Sequence, residues 1–404
     1  MASEGWDVAT VGELASVYRG ATWGKAQEFE NPTADSEPVV GISVTSSDGS
    51  LDLTKLKHVA NLDSKVARLA QDDLLMVMSN GNPGRIGNIY RVDDRVTGMP
   101  FSAFQLAIRV HSNVILPRFL HCYLSEETRQ KEMTDLTAGS TGLRNLNLSK
   151  IRSFPVGVPP LGEQRRIVDL ITAFDDSIEA AGKAVEQSLT LYRELMASSA
   201  SDISTYRPLE EALTRVTSAS PVLSHLGYRI VGLERSGQGF IDRGVVSGSE
   251  IGYSKLTPVG SDQLVYRKLT AWEGPISVTD ERVEGSWVSA EFPVFDIDRE
   301  VLIPGLLRHI CRWPSFWEKM AGLLTGSVLR RKRLNPEQLL RLEIPMPAIT
   351  VQESVLGLLD AAWSTYESAK SVVECQRNLR SEILTSLLSG AHRIPETYDE
   401  LMGA

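Results

Sequence analysis

The sequence predicts an α+β protein of two globular domains and two long amphipathic helices, its second half repeating its first. Three observations predict this. The chain resembles itself at an offset of 187–191 residues. Each half holds short β-branched runs broken by Gly, Pro, Asn and Asp. Two heptad-periodic stretches lie 188 residues apart.

The repeat is set by its Gly-Ser loops, with Gly139-Ser140 falling on Gly326-Ser327, 187 positions on. The same offset carries Pro117 onto Pro304, Leu120 onto Leu307, Met133 onto Met320 and Ser102-Ala103 onto Ser289-Ala290. Gln164 falls on Gln352 at 188 and Gly41 on Gly232 at 191, differences that small loop insertions explain. Two units of this size are a duplication, because solenoid periods run to roughly 20–50 residues.

Within each half the elements follow in one order. Strands are predicted at Pro38–Val44, Asp73–Met78 and Phe104–Val110, and again at Tyr228–Leu233, Gln263–Arg267 and Phe292–Ile297. A short helix comes next, over Pro117–Met133 and Pro304–Leu324. The Gly-Ser loop, a last strand and a proline corner at Pro159-Pro160 or Pro345-Met-Pro347 lead into the long helix. In the first long helix Ile167, Ile171, Phe174, Ile178, Ala181 and Val185 step by 4, 3, 4, 3 and 4. Val355, Leu359, Ala362, Tyr366, Ala369 and Val373 do the same in the second. Where each seam is next due a residue it turns polar, at Ser188 and Gln376. A lone helix cannot bury such a seam, so the two are expected to pair; the alternative is two independent amphipathic helices, each on its own domain. Ser198–Ser204 ends the first helix and Ser389-Gly390 the second.

Composition bounds the function. No apolar run approaches the roughly 20 residues of a membrane helix, and Met1–Glu13 has no signal-peptide core. Cys122, Cys311 and Cys375 stand far apart with no CxxC pair, which disfavours a disulfide framework or zinc site and suits a reducing cytoplasm. His121 and His309 read as partly buried helix residues rather than metal ligands, and Cys122 and Cys311 as core thiols. The sequence has no phosphate loop, no Asn/Asp-Pro-Pro-aromatic tetrad, no HExxH and no GxSxG. Gly237-Gln-Gly239 reads as a turn. The net charge of −9 counts against a nucleic-acid binder.

A Gly-Ser loop, a strand, Pro159-Pro-Leu-Gly-Glu-Gln164 and a long amphipathic helix, all present twice, resemble the specificity subunits of type I restriction–modification systems from about Trp6 to Gly390. The segment Leu264–Gly274, with Val288-Ser289 and Phe292, is similar to a recurrent target-recognition domain of that family. The second helix entry, Pro347-Ala-Ile-Thr-Val-Gln352, departs from the pattern by one extra residue and lacks Glu before Gln. The resemblance implies target-recognition domains at 1–157 and 203–346, spacer helices at 158–202 and 347–391 forming an antiparallel coiled coil, and a tail at 392–404. It further implies a non-catalytic, cytoplasmic chain that reads a bipartite double-stranded DNA target, its helices setting the gap. Its partners would be two methyltransferase subunits and two restriction–translocase subunits. The chain itself would hold no cofactor; S-adenosylmethionine, ATP and magnesium would sit on those partners.

Candidate DNA contacts are cations and amides in loops. Arg330, Arg331, Lys332 and Arg333 follow the second Gly-Ser loop with Ser327, and four adjacent cations repel unless they meet an anion such as phosphate. The first-half counterparts are Ser140, Thr141, Arg144 and Asn145; asparagine can read adenine edges. Arg19 and Lys25, then Asn80, Asn82 and Arg85, then Arg267, Lys268 and Trp272 complete the set, Trp272 being equally a core aromatic. The acidity lies elsewhere: Leu161–Leu195 has seven acids to four bases and Val351–Gly390 five to three, whereas Leu324–Arg341 has five bases to one acid. Two other readings remain open: a protein-interaction scaffold of the same fold without DNA specificity, and an enzyme with an unfamiliar active site.

Overall fold

The computed structural model describes residues 5–45, 51–138, 144–202, 205–324 and 332–401. It divides into two compact units, residues 1–181 with 372–404, and residues 182–371. Each unit holds one globular domain and one half of each long helix.

The two units are built alike. The centre of the first is a four-stranded antiparallel sheet in the spatial order Ala15–Arg19, Gln105–Val110, Leu74–Val77, Ile89–Arg91. The second has Leu213–Arg215, Val294–Ile297, Gln263–Tyr266 and Ile276–Val278 in the same order. Side chains of a strand alternate between faces, and here both faces are buried. Leu74 and Met76 enter one core, with Phe119 and Ile167, while Leu75 and Val77 enter another around Phe101. In the second unit Leu264 and Tyr266 join Phe316 and Leu359, and Val265 joins Val231 and Val288. A two-stranded ribbon roots each long helix: Asp7–Thr10 against Pro155–Val158, and Tyr206–Pro208 against Glu343–Pro345.

Each short helix predicted as one piece is two. Pro117–Ser125 and Glu127–Asp135 are split at Glu126, whose backbone is extended and whose carboxylate caps the amides of Thr128 and Arg129 at 3.1 and 3.2 Å. Pro304–Cys311 and Pro314–Gly322 are split because Pro314 cannot continue a preceding turn. The predicted strand Pro38–Val44 is likewise shorter: Ser36–Val39 is strand and Ile42–Val44 a 3-10 turn.

The proline–glutamine corner has a clear physical job. Gln164 is fully buried; its Nε2 donates to the carbonyls of Val114 (2.7 Å) and Pro159 (2.8 Å), and its Oε1 accepts from the Leu116 amide (2.8 Å). Gln352 repeats the set with Val301 and Pro347 (both 2.8 Å) and Ile303 (2.9 Å). One amide thus locks the start of the long helix to the chain entering the short one. The expected extra residue in the second entry is not there, since each glutamine bonds the carbonyl of the proline five positions before it, and the missing Glu before Gln352 leaves the lock unchanged.

The long helices run over Leu161–Asp202 and Ile349–Ser389, the second stopped by Gly390 at φ +75°. They are antiparallel within each unit. In the first, Arg380 pairs with Asp175 (2.5 Å) and Gln376 with Ser177 (3.1 Å), beside Ile171 and Leu384. In the second, Tyr192 meets Trp363 edge-on at 5.0 Å between ring centres. Every predicted seam residue is buried or half-buried. Beyond the polar steps at Ser188 and Gln376 the seams resume, with Tyr192 and Met196 and with Leu384 and Leu387. Among the described residues no helix is long and apolar enough to cross a membrane.

Candidate nucleic-acid interface

In the first unit the strand Ser79–Asn80 pairs with Arg144–Leu146, setting Asn80 opposite Arg144 and Ser79 opposite Asn145. The amides of Met78 and Ser79 donate to the Phe104 carbonyl at 2.9 and 3.1 Å, and that of Leu146 donates to Met78 at 2.9 Å. The Phe104 ring is 51% exposed. Ala21 joins the same edge through Phe101 and Ala103 (both 2.7 Å), which places exposed Arg19 nearby, with exposed Lys25 opening a 3-10 turn beyond it. Three sequence segments predicted separately are therefore neighbours.

Their roles divide. Asn80 Oδ1 accepts from the Asn82 amide (2.8 Å), and Asn82 Oδ1 accepts from Gly84 (3.1 Å), capping the 3-10 turn Pro83–Arg85. The oxygens shape the loop, and the side-chain NH2 groups remain as donors. Arg85 turns inward instead: its Nη2 donates to the Ile42 carbonyl (3.2 Å), to Thr45 Oγ1 (3.1 Å) and to the Thr45 carbonyl. It pins the loop. Asn145 is exposed. Ser140 and Thr141 lie outside the described residues.

The second unit repeats the junction. The Lys268 amide donates to Glu291 (3.0 Å) and the Leu334 amide to Lys268 (3.1 Å), matching the Met78–Phe104 and Leu146–Met78 bonds. Leu269 bridges Arg333, and the Thr270 amide reaches the Lys332 carbonyl at 3.4 Å. So Arg267, Lys268, Trp272, Lys332 and Arg333 converge from segments some sixty residues apart in sequence. Two carboxylates organise them. Glu273 binds Arg267 (3.0 Å) and Arg235 (3.2 Å); Glu291 accepts from the Leu269 amide (2.9 Å) and pairs with Arg333 (3.4 Å). Arg267 also donates to the Leu269 carbonyl and the Thr270 hydroxyl, so it is a bracing residue more than an open cation. Thr270 is held left-handed at φ +57°. Gly274 is too, at +66°, and a Cβ there would meet the Trp317 ring at 2.8 Å. This tight turn presents Trp272, 37% exposed, at a cavity of about 780 Å³ shared with Arg235, Arg243, Tyr253 and Phe292. Ser327, Arg330 and Arg331 lie outside the described residues.

Sequence reasoning missed Phe104, Arg235, Arg243 and Tyr253. They are isolated in the chain, and only strand pairing gathers them. The turn read at Gly237-Gln-Gly239 is one, with positive φ at both glycines, and it closes the hairpin that carries Arg243. Among the described residues no three His, Cys, Asp or Glu side chains converge in a way that would hold a metal.

Residues 3–187 match the type I restriction modification DNA specificity domain. The EcoKI specificity subunit of Escherichia coli (strain K12) is 26% identical over 198 residues, covering 47% of this chain and 41% of that protein. The StySPI specificity subunit of Salmonella potsdam is 26% identical over 205 residues, covering 49% and 42%. Each match thus spans about two fifths of the relative's length. Among solved structures, the type I S subunit from M. genitalium superposes with TM-score 0.51 at 12% identity, over 95% of this chain and 96% of that one. A chain from a structure of type I restriction–modification complex assembly does so with TM-score 0.56 at 16% identity, over 96% and 99%. Residues 3–187 thus match the type I restriction modification DNA specificity domain, and the fold of the chain is that of the type I S subunits.

Proposed function

We propose that this chain is the DNA-reading subunit of a type I restriction–modification complex. Each unit reads one part of a bipartite target in double-stranded DNA. The chain is non-catalytic and scaffolds two methyltransferase subunits, with restriction–translocase subunits able to join; S-adenosylmethionine, ATP and magnesium belong to those partners. One observation carries the reading: the same strand junction, at the same place in both repeats, gathers amides and cations that the sequence keeps apart. Hydrogen-bond donors and guanidinium groups are what phosphates and base edges require. The acidic long helices suit protein partners rather than phosphate.

The test is a salt series on the complex with its methyltransferase. Lys332→Ala with Arg333→Ala should weaken binding to all duplexes alike. The slope of log affinity against log salt should flatten by about one for each phosphate that the variant no longer neutralises. Unchanged affinity and slope would take this strand out of the interface. The net charge of −9 supports a second reading, a scaffold without DNA specificity; failure of the unmodified complex to prefer any sequence would establish it.

A further inference from the structure

The second unit carries a device that the first lacks among its described residues, a long β-ribbon. Gly227–Leu233 pairs with Phe240–Ser247, and the latter is the edge of a five-stranded sheet. That edge strand faces outward along its length, with Val245 74% exposed. A two-stranded ribbon has the width to enter a DNA major groove.

The ribbon is irregular at one place. Its register shifts between Arg229 and Val231, opposite Arg243 and Gly244, and Gly244 takes φ +76°. A bulge of this kind re-aims a side chain. The side chain here is Arg243, whose guanidinium lies close over Gly232; a Cβ at that position would meet Nε at 3.0 Å and Nη2 at 3.2 Å. The adjacent acid is already engaged: Asp242 holds Arg229 at 2.7 Å and the Gly244 amide at 2.8 Å. Among the described residues the Arg243 guanidinium makes no hydrogen bond or ion pair of its own. It stands at the cavity of Trp272 and Tyr253, whose wall also carries the carboxylates Glu273 and Glu291.

We propose that Arg243 is a guanine-reading residue of the second unit, its fork held by the bulge and by Gly232 to meet O6 and N7 in the major groove. This rests on the DNA-reading function proposed above. A planar fork with no partner among the described residues suits a bidentate acceptor pair. The carboxylates of the same wall are already engaged, Glu273 by Arg235 and Arg267 and Glu291 by Arg333. It is therefore the fork of Arg243, and not the charge of the wall, that favours a base edge, and the salt slope separates that from a phosphate contact.

The experiment is methylation mapping in cells carrying the chain with its methyltransferase, paired with binding of the purified complex to the motif found. Arg243→Ala should relax one guanine position of the methylated motif. Affinity for the intact motif should fall by roughly 5- to 150-fold, with the salt slope unchanged. Arg243→Lys, which keeps the charge and loses the fork, should relax the same position. Gly232→Ala, which displaces the guanidinium by a few tenths of an ångström, should do so partially. An intact motif in all three variants overturns the proposal. So does a uniform loss with the slope lower by about one, the mark of a phosphate contact. A wild-type complex that methylates no motif at all would overturn the DNA-reading function itself, and this assignment with it.

Discussion

At the scale of single residues, each repeat carries a histidine on its short helix, one position out of register because the 187 offset sets His121 on Arg308, and the fold treats the two differently. His309 is fully buried, its Nδ1 2.9 Å from the Tyr192 hydroxyl and its Nε2 2.9 Å from Asp360. Burial pushes its pKa below 6.5, and the Asp360 carboxylate only partly offsets that. His121 lies 188 positions earlier, and burial holds it down to about 4. Both are expected to be neutral in the fold while the unfolded chain takes up protons near pH 6.5. Stability is then complete above about pH 6.5 and lost as pH falls, through about 4 for His121. A series of melting temperatures from pH 7.5 to 4 should show this loss, and His121→Gln with His309→Gln should flatten it. Identical pH slopes in wild type and double variant would show that other groups carry the acid response. Both stand on the short helices as expected, His309 buried and His121 half-buried; the hydrogen-bond partners of His309 were not legible, because Tyr192 and Asp360 lie more than fifty positions away on other helices.

At the scale of elements, the seam of the long helices was visible residue by residue, since a heptad pattern is a property of one strand of sequence. Its depth was not. Ile167 and Ile171 are fully buried because the first domain packs on the helix pair there, whereas Ile178 is only half-buried between two helices. An aspartate at each position should therefore cost unequally. Ile171→Asp would bury an uncompensated charge and should lower stability by about 3–5 kcal/mol, while Ile178→Asp, with water within reach, should cost about 1–3 kcal/mol. Denaturant midpoints of the two variants decide this, and equal losses would mean the seam is buried uniformly. The predicted single short helices failed for a related reason: periodicity continues through Glu126 and Trp313, and only the caps reveal the break.

At the scale of the whole molecule, the proposed function makes each repeat of the duplication a reading module. Replacing residues 1–155 by the matching segment of a relative should change one part of the methylated motif and leave the other intact, as read by methylation mapping; a change in both parts would show that the modules do not act separately. By itself the sequence determined the α+β class, the repeat, the helix pair and the Gly-Ser and Pro-Gln landmarks, because periodicity, turn chemistry and self-similarity are local or one-dimensional signals. Only the tertiary structure decided which cations are available. Arg85 and Arg267 look like free surface charges in the chain but are bound to carbonyls and a carboxylate, whereas Arg243 has no signal around it in sequence and stands open on a bulge. The physical reason is that a side chain's partners are set by strand pairing across tens of residues, and no local pattern of residue types encodes that pairing.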